Sequence, residues 1–240
     1  MYYLKLKRIL DAVVALLGLL LTAPLFILVA LAIRLDSAGP AFFSQKRLSR
    51  NGRMFRMYKF RTMRVGAERQ GTGLFNYEND ERVTRVGRFL RTSSVDEWPQ
   101  LINVLKGEMA LVGPRPPVWY ELGDYATLNQ DYKKRFTVLP GMTGLAQVSG
   151  RNELPWDEKV RYDITYVDGL KNKGWILDLK IIFKTFVHVF ETKAVYEQNT
   201  GETDEEVIAR AHSDYLASKA KGNGNDKMKD NGNNNGNNNG

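Results

Sequence analysis

The sequence predicts a helix-rich α/β domain of the α+β type that is carried by an N-terminal membrane helix. Residues 9–33 form an apolar run of 25 residues with one charge, Asp11. Two candidate strands, 40–47 and 54–62, flank the turn signal RNGR, and helical apolar spacing follows from Trp98 to Leu105. We divide the chain into a membrane helix (1–35), a main domain (36–200), an accessory helix (201–221) and a tail (222–240).

The apolar run is long enough to enter a bilayer, which takes about 20 apolar residues to cross. A secretory signal has a shorter apolar region of roughly 7–15 residues and a cleavage site, so it does not fit. Basic residues precede the run (Lys7, Arg8) and follow it (Arg34). The positive-inside rule then places both flanks in the cytoplasm. A helix broken at Pro24 that returns to the same face satisfies this rule, and a kinked through-span is the open alternative.

Asp11 is costly inside lipid and needs a partner. Lys7 and Arg8 lie four and three residues earlier, on the same helical face. The motif KRILD is therefore predicted to be an interfacial anchor in which the charges neutralise one another.

The formal charge of +8 is unevenly distributed along the chain. Residues 1–95 hold 17 Lys and Arg against 6 Asp and Glu, so the positive excess lies before Asp96. Such a patch suits phosphates. No nucleic-acid-binding motif is recognisable, so nucleic acid is not an expected partner. The chain has no Cys and two His, which fits a cytoplasmic location and argues against a thiolate metal site or a histidine base.

The remaining segments have weaker patterns. Residues 64–82 are predicted to be a mobile loop and 119–136 a helix, while 138–152 are a glycine-rich loop beside a strand. Residues 156–167 and 177–190 are predicted to be two helices, with His188 in a packing role. Thr203 and Glu206 form a capping box for a helix ending near Lys221. The Asn- and Gly-rich residues 222–240 are predicted to be disordered.

The adjacent carboxylates Asp96 and Glu97 have two possible roles. Ser94 and Glu97 match the S-x-x-E capping box, and acidic residues are favoured in a first helical turn. The alternative is chemistry on a phosphate, which needs cations and often Mg²⁺ bound by one or two carboxylates. Candidate cations are Arg85, Arg88 and Arg91 upstream and, between prolines, Arg115. The two roles are compatible if Ser94 caps the helix while both carboxylates face a substrate.

Several motifs resemble the bacterial sugar transferases, the monotopic phosphoglycosyl transferases. They are KFRTM at 59–63, SSVDEWPQLINVLKGEMALVGPRP at 93–116 and PGMTGLAQVSGR at 140–151. KRILD at 7–11 is similar to the family's KRxxD motif, and DLKIIFKT at 178–185 to its C-terminal helix. The resemblance covers residues 5–190 in the family's order.

This resemblance implies transfer of a sugar 1-phosphate from a UDP-sugar to a polyprenol phosphate, typically undecaprenyl phosphate, with release of UMP. That step initiates a surface glycan such as exopolysaccharide, capsule, O-antigen or glycoprotein at the inner membrane of a bacterium. Asp96 would be the nucleophile that forms a covalent phosphosugar-enzyme, and Glu97 would bind Mg²⁺ and assist with the acceptor. Asp96 would also contribute to the metal site.

The resemblance also assigns further residues. Lys59, Arg88, Arg115 and Arg151 would bind substrate phosphates, and Asp163 and Gln147 would support the site. The family's membrane helix is re-entrant, which favours that topology here, with the domain and both termini on the cytoplasmic face. Its break pairs a serine with the proline, whereas this chain has Ala23-Pro24, so Thr22 is expected to cap the freed carbonyls.

Two rival functions remain open from the sequence. One is a membrane-bound glycosyl transferase that releases UDP. The other is a non-enzymatic, membrane-tethered basic module, which would bind anionic ligands in a salt-sensitive way through residues 34–64. Sugar specificity is expected in residues 64–82 and 117–137.

Overall fold

The computed structural model describes residues 2–67, 80–150 and 154–190. The described residues form six α-helices and four β-strands. They are α1 Tyr2–Asp36, β1 Phe42–Leu48, β2 Met54–Phe60, α2 Arg85–Thr92, α3 Gln100–Lys106, β3 Ala110–Val112, α4 Gln130–Lys134, β4 Gly141–Thr143, α5 Gln147–Gly150 and α6 Trp156–Phe190. The predicted helix and tail after residue 200 and Arg151 lie outside the described residues, and the predicted 64–82 loop is described only at its two ends.

Strands β1 and β2 form the antiparallel hairpin that the sequence predicts. Their register runs from Phe42 opposite Phe60 to Leu48 opposite Met54. The RNGR turn contains a single 3-10 turn, in which Asn51 has a left-handed φ of 58°. A second, parallel pair joins β3 to β4, with Ala110 opposite Gly141. In the described part of the chain, the sheet structure therefore consists of two small two-stranded sheets between helices.

Helix α1 continues through Pro24, so the backbone shows no break of the predicted kind. The Thr22 hydroxyl donates to the Gly18 carbonyl at 2.7 Å. The carbonyl that Pro24 frees is that of Leu20, four residues before the proline. Thr22 therefore does not cap the freed group as expected. Its bond to the carbonyl four residues earlier is of a kind that bends helices, and a bend at Pro24 stays a prediction.

One face of α1 packs along the rest of the domain. Near its start, Tyr3 bonds α6, and in its middle Ala15 is fully buried in a cluster with residues of β2 and α3. Towards its end, the Phe26 and Phe60 rings meet edge to face at 5.0 Å between centroids. Its other face is apolar and exposed, since Leu21 is 84% accessible. By length and composition, Tyr3–Asp36 qualifies as a membrane helix, and its most apolar 18-residue window is 6% buried.

The end of α1 is fixed by two polar contacts. The buried Arg61 guanidinium donates to the carbonyls of Ala38 at 2.8 Å and Ser37 at 2.7 Å, just beyond the helix. The Asp36 carboxylate accepts from the Val86 N–H at 3.0 Å, in the first turn of α2. A carboxylate is favourable there because the helix N-terminus carries partial positive charge. These bonds tie α1 to the elements that precede the acidic pair.

The C-terminal half differs from the sequence prediction at residues 119–136. They are not one helix but a 3-10 turn at Tyr125–Thr127, the short helix α4 and a second 3-10 turn, Arg135–Thr137. The two predicted C-terminal helices are both present, as the two segments of α6 on either side of a kink with non-helical geometry at Gly174. Beyond Gly174, Ile181 is buried in the core and exposed apolar side chains face outward. These are Trp175, Leu179, Phe183 and Phe186.

Candidate active site

The acidic pair lies in a 3-10 turn, Val95–Glu97, between α2 and α3. Ser94 has left-handed backbone angles, φ 56° and ψ 14°, and its side chain makes no capping bond. The predicted capping box is therefore wrong, because Ser94 does not have the extended backbone of an N-cap residue. Helix α3 begins later, at Gln100, with Pro99 as its N-cap. Neither carboxylate is used for capping, and the strained Ser94 turns the chain immediately before them.

Two cations from distant parts of the chain converge on Glu97. Lys59, on β2, places its Nζ 2.6 Å from Glu97 Oε1. Arg115, in the loop after β3, places its Nη2 3.0 Å from the same oxygen. Asp96 is farther from them, with its Oδ2 3.8 Å from Lys59 Nζ. The structure therefore brings four of the predicted site residues together at one point.

The two adjacent carboxylates have opposite electrostatic environments. Burial raises the pKa of Asp96 to about 6, and the neighbouring Glu97 charge adds to this effect while Lys59 opposes it. Burial also acts to raise the pKa of Glu97, but Arg115 and Lys59 outweigh it and hold that pKa well below its usual range. Glu97 is thus firmly ionised, whereas Asp96 titrates close to neutrality.

The buried side-chain amide of Asn103 connects the strand that carries Lys59 to the helix that follows Asp96 and Glu97. Asn103, on α3, is fully buried. Its Oδ1 accepts from the Tyr58 N–H at 3.0 Å, and its Nδ2 donates to the Arg56 carbonyl at 2.7 Å. Because Lys59 follows Tyr58 on β2, Asn103 locks the Lys59 strand to the helix that follows Glu97.

Asp163 supports the site indirectly, through a residue that the sequence analysis missed. Its Oδ2 accepts from Nε of Arg135 at 2.9 Å in a fully buried ion pair. Arg135 in turn donates to the Arg115 carbonyl at 2.7 Å. Nothing in the sequence distinguishes Arg135, in KKRF, from an ordinary surface arginine.

Two other predicted site residues, Arg88 and Gln147, do not contact Asp96 or Glu97. The Arg88 side chain is exposed on α2, and among the described residues it makes no hydrogen bond or ion pair. Gln147, on α5, donates to the Met142 carbonyl at 3.2 Å and so holds the backbone next to β4.

The carboxylates present fit Mg²⁺ as part of a shared site. Asp96 and Glu97 are adjacent, and both cation contacts of Glu97 are made to Oε1, so that Oε2 receives neither. Mg²⁺ takes one or two carboxylates and completes its octahedron with water and substrate oxygens. No group of three or more Asp, Glu, His or Cys that could bind a metal occurs among the described residues. A metal here would therefore depend on substrate phosphates for further oxygens.

The N-terminal motif is anchored to α6 by a buried network. The predicted Lys7–Asp11 pair is present at 3.3 Å. Lys7 also lies 2.7 Å from Asp178 Oδ2, to which the Tyr3 hydroxyl donates at 2.6 Å. Arg8 does not neutralise Asp11 as predicted; its Nη2 donates to the Leu105 carbonyl at 2.8 Å.

Comparison with known proteins gives consistent matches over most of the chain. The family model for bacterial sugar transferases matches residues 2–192. A galactosyl transferase, CpsE, of Streptococcus agalactiae serotype III is 46% identical over 192 residues, 75% of this chain and 41% of that protein. A UDP-glucose:undecaprenyl-phosphate glucose-1-phosphate transferase of Xanthomonas campestris is 40% identical over 202 residues, 81% of this chain and 41% of that protein.

A third relative is closer to this chain in length. It is an uncharacterized sugar transferase, EpsL, of Bacillus subtilis, which is 39% identical over 195 residues, 81% of this chain and 92% of that protein. The chain thus spans about two fifths of the length of the first two relatives and nearly all of the third. With a family match that covers residues 2–192, the chain belongs to the bacterial sugar transferase family.

Proposed function

We propose that the chain transfers a sugar 1-phosphate from a UDP-sugar to undecaprenyl phosphate and releases UMP. One observation carries the proposal. Asp96 is a buried carboxylate with a pKa of about 6, and the adjacent Glu97 holds two cations, Lys59 and Arg115, beside it. Two relatives support the same reaction class: one is named a UDP-glucose:undecaprenyl-phosphate glucose-1-phosphate transferase and the other an undecaprenyl-phosphate galactose phosphotransferase.

In the first step, a carboxylate oxygen of Asp96 attacks the phosphorus that bears the sugar. The bond from this phosphorus to the bridging oxygen breaks, and UMP departs with the electron pair. The product is a sugar-phosphoryl ester of Asp96, a mixed anhydride. A phosphate oxygen of undecaprenyl phosphate then attacks the same phosphorus and displaces the Asp96 carboxylate, which gives the lipid diphosphate sugar.

The neighbouring residues supply charge and position. Arg115 and Lys59 are placed to neutralise the phosphates as charge moves to the leaving UMP, and a guanidinium can bind phosphate through two donors. Mg²⁺ bound by Asp96 and Glu97 together with substrate oxygens would supply further positive charge to the diphosphate. Glu97 keeps both cations beside Asp96 in the absence of substrate.

The same proposal includes a membrane arrangement in which α1 is re-entrant. Both ends of α1 contact one domain, through Lys7 with Asp178 at one end and Asp36 with Val86 at the other. A helix that crossed the bilayer would place these two ends on opposite faces of the membrane, where one domain could not contact both. The proposal therefore places the domain and both ends of α1 on the cytoplasmic face of a bacterial inner membrane. The exposed apolar face of α6, with Lys180 and Lys184 nearby in sequence, is suited to the same interface.

The test is to incubate purified protein with Mg²⁺ and a panel of UDP-sugars in the absence of lipid acceptor, and to record intact mass. We expect a sugar-phosphate adduct with a matching amount of UMP, and neither product with Asp96→Asn. Release of UDP only after polyprenol phosphate is added, without an adduct, would instead identify a glycosyl transferase. Salt-sensitive binding that is indifferent to Asp96→Asn, with no nucleotide released, would identify a binding module.

A further inference from the structure

The loop that presents Arg115 to Glu97 is held almost entirely through its carbonyl groups. Residues 114–117 read PRPP, so three of the four have no backbone N–H to donate. A short loop of this composition cannot fix its position by backbone pairing in the ordinary way. Its carbonyls are the groups available for anchoring.

All four successive carbonyls accept a hydrogen bond, and each donor comes from another part of the chain. Two donors are backbone N–H groups and two are arginine side chains. The bonds are Gly141 N to Pro114 O at 2.9 Å, Arg135 Nη2 to Arg115 O at 2.7 Å, Arg47 Nη1 to Pro116 O at 2.9 Å and Leu48 N to Pro117 O at 3.1 Å.

Arg135 is fixed more firmly than its bond to the loop alone would require. Its side chain is 3% accessible, and its guanidinium donates to the buried Asp163. The guanidinium carbon, Cζ, also lies 5.1 Å from the ring centroid of Trp156. A buried ion pair costs desolvation and adds little net stability compared with apolar side chains of the same volume. What apolar side chains could not supply is the bond to the Arg115 carbonyl.

Arg47 links the loop to the other cation of the site. It lies on β1, opposite Phe55 of β2, and Lys59 lies on the same hairpin opposite Phe43. The hairpin thus carries Lys59 directly and holds Arg115 through the Pro116 carbonyl. Both cations that meet Glu97 are positioned by one rigid element.

We propose that Arg47 and Arg135 are positioning residues that clamp the Pro114–Pro117 carbonyls and thereby aim Arg115 at Glu97 and at the donor diphosphate. The part concerning the diphosphate rests on the proposed function; the part concerning Glu97 does not. The clamp acts on catalysis through the Arg115 side chain, so its removal should cost little further activity once that side chain has been replaced.

The first test separates the clamp from catalysis by measuring unfolding of the detergent-solubilised protein. Arg115→Gln is made alone and together with Arg47→Gln, and each melting temperature is compared with that of its parent. We expect Arg115→Gln to lower the melting temperature of the wild-type protein and to have little effect when Arg47→Gln is present. An undiminished effect of Arg115→Gln in both backgrounds would overturn the clamp, whether or not any donor is ever found.

The second test measures kcat and KM for the UDP-sugar that forms the adduct. Because displacement of a positioning group by about 1 Å can cost 100-fold, we expect Arg47→Gln to lower kcat/KM by at least about tenfold. Arg47→Lys, which retains a donor, should recover part of the loss. Arg53→Gln is the matched control, since Arg53 is an exposed arginine of the same hairpin. An Arg47→Gln enzyme as active as Arg53→Gln would overturn the proposal.

The role of Arg135 is tested with a charge-balanced variant, because Arg135→Gln alone leaves the Asp163 carboxylate buried without its cation. Arg135→Met combined with Asp163→Leu removes both charges. We expect this double variant to keep a near-native melting temperature and to lose kcat/KM as Arg47→Gln does. Full activity in a folded double variant would show that Arg135 is not part of the clamp. If the double variant does not fold, the Arg47 measurements decide the proposal.

Discussion

The neighbouring carboxylates of Asp96 and Glu97 lie on one 3-10 turn but differ in pKa, because the two cations lie closer to Glu97. Lys59 and Arg115 both contact Glu97 Oε1, whereas the nearest cation contact of Asp96 is 3.8 Å. In the structure, Glu97 is therefore the anion that pairs closely with both cations. Among the described residues, Asp96 has no cation as close as those that contact Glu97, and its burial raises its pKa. A less hydrated carboxylate with a pKa near the working pH is suited to nucleophilic attack.

The first prediction concerns the pH dependence of the transfer. Asp96 must be ionised to attack phosphorus, and its pKa in the free protein is about 6. We expect kcat/KM for the UDP-sugar to rise with pH and to level off above about pH 7, falling to roughly a tenth of the plateau at pH 5. UMP release in single-turnover reactions between pH 5 and pH 8 measures the profile. A profile that is flat over this range would contradict the assignment.

The second prediction is that neutralising the two carboxylates changes stability in opposite directions. The folded pKa of Asp96 lies above its unfolded value of 3.8, so its contribution to stability is complete below pH 3.8 and is lost as pH rises through 6. Asp96→Asn should therefore stabilise the protein at pH 7.5 by roughly 1–3 kcal/mol, or about 2–12 °C in melting temperature. The gain should shrink towards zero near pH 4.

Glu97→Gln is the matched comparison for Asp96→Asn. The folded pKa of Glu97 is depressed, so its ionised form stabilises the protein above its unfolded pKa of 4.5, and this stability is lost at lower pH. Removing its charge also leaves Lys59 and Arg115 without their shared anion, so we expect the melting temperature at pH 7.5 to fall. If both variants shift the melting temperature in the same direction, the division between the two carboxylates is wrong.

Among individual residues, the sequence identified those that are part of a recognisable motif. Asp96, Glu97, Lys59 and Arg115 were predicted as site residues, and the structure brings their side chains together. Asp178 was not predicted as a partner of Lys7, because an ion pair between residues 171 positions apart leaves no local pattern.

The supporting residues Arg47, Arg135 and Asn103 were also missed. Each acts through a side chain that reaches a backbone group about 20 to 70 residues away. Residue type alone does not reveal such bonds, because arginine and asparagine are mostly surface residues.

At the scale of elements, the active site depends on how β2 is docked onto α3. Asn103 makes this connection with two hydrogen bonds, from the Tyr58 N–H and to the Arg56 carbonyl, and its amide also donates to Glu108 Oε2 just beyond α3. An edge strand presents backbone groups that need partners, and here a side-chain amide provides them. The position of Lys59 is thus set by an element junction as well as by its own ion pairs.

The third prediction is that Asn103→Ala weakens this junction. It leaves the partly buried Tyr58 N–H and Arg56 carbonyl without their partner, which should cost about 1–3 kcal/mol of unfolding free energy. We expect kcat/KM to fall at least about tenfold at temperatures where the variant is folded, because Lys59 is no longer held in register. Thermal unfolding and steady-state kinetics measure the two effects.

Lys106→Ala on the same helix is the control for Asn103→Ala. Its side chain is 47% accessible, pairs with Glu108 at 3.3 Å and contacts the Tyr58 hydroxyl at 3.5 Å, but it bonds no backbone group of β2, so its loss should cost no more than about 1 kcal/mol. An Asn103→Ala variant that resembles Lys106→Ala in both measurements would show that the junction does not need the amide.

Elements specified by local pattern were predicted well, and elements that depend on tertiary contacts were not. The β1–β2 hairpin follows from its turn and flanking strands, and α3 ends at Gly107, whose φ of 82° is one that glycine adopts without strain. Residues 119–136 have helix-forming residues, but the chain there forms 3-10 turns and the five-residue helix α4. Asp124 caps the first 3-10 turn and Asn129 caps α4, so two new elements begin within the predicted helix.

For the whole molecule, the membrane helix is also part of the domain. The buried residues of α1 contribute to two of the three hydrophobic clusters, with Ala15 in one and Ile33 in another. Its opposite face presents exposed leucines such as Leu20 and Leu21 along the same length. Hydropathy predicted membrane residence but could not choose between re-entry and a through-span. The contacts at both ends of α1 favour re-entry, because they attach both ends to one domain.

The last prediction tests that topology in membrane vesicles. The sequence has no cysteine, so single-cysteine variants need no prior substitutions. Lys5→Cys and Ala38→Cys place a thiol at exposed positions at the two ends of the helix, and Leu21→Cys places one in the middle of its exposed apolar face. In inside-out vesicles, a membrane-impermeant maleimide should label both end positions and leave Leu21→Cys unlabelled until detergent is added.

A through-span gives a different pattern in the same experiment, because it places one end of α1 in the vesicle lumen. Only one of Lys5→Cys and Ala38→Cys would then react before permeabilisation, and the other would react in right-side-out vesicles. That result would also require the contacts of Lys7 with Asp178 or of Asp36 with Val86 to break in the membrane, since the two lie at opposite ends of the helix. Labelling at both ends from one side keeps these contacts intact. It also places the apolar face of α1 in one leaflet, with the acidic pair at the surface where a lipid phosphate could meet it.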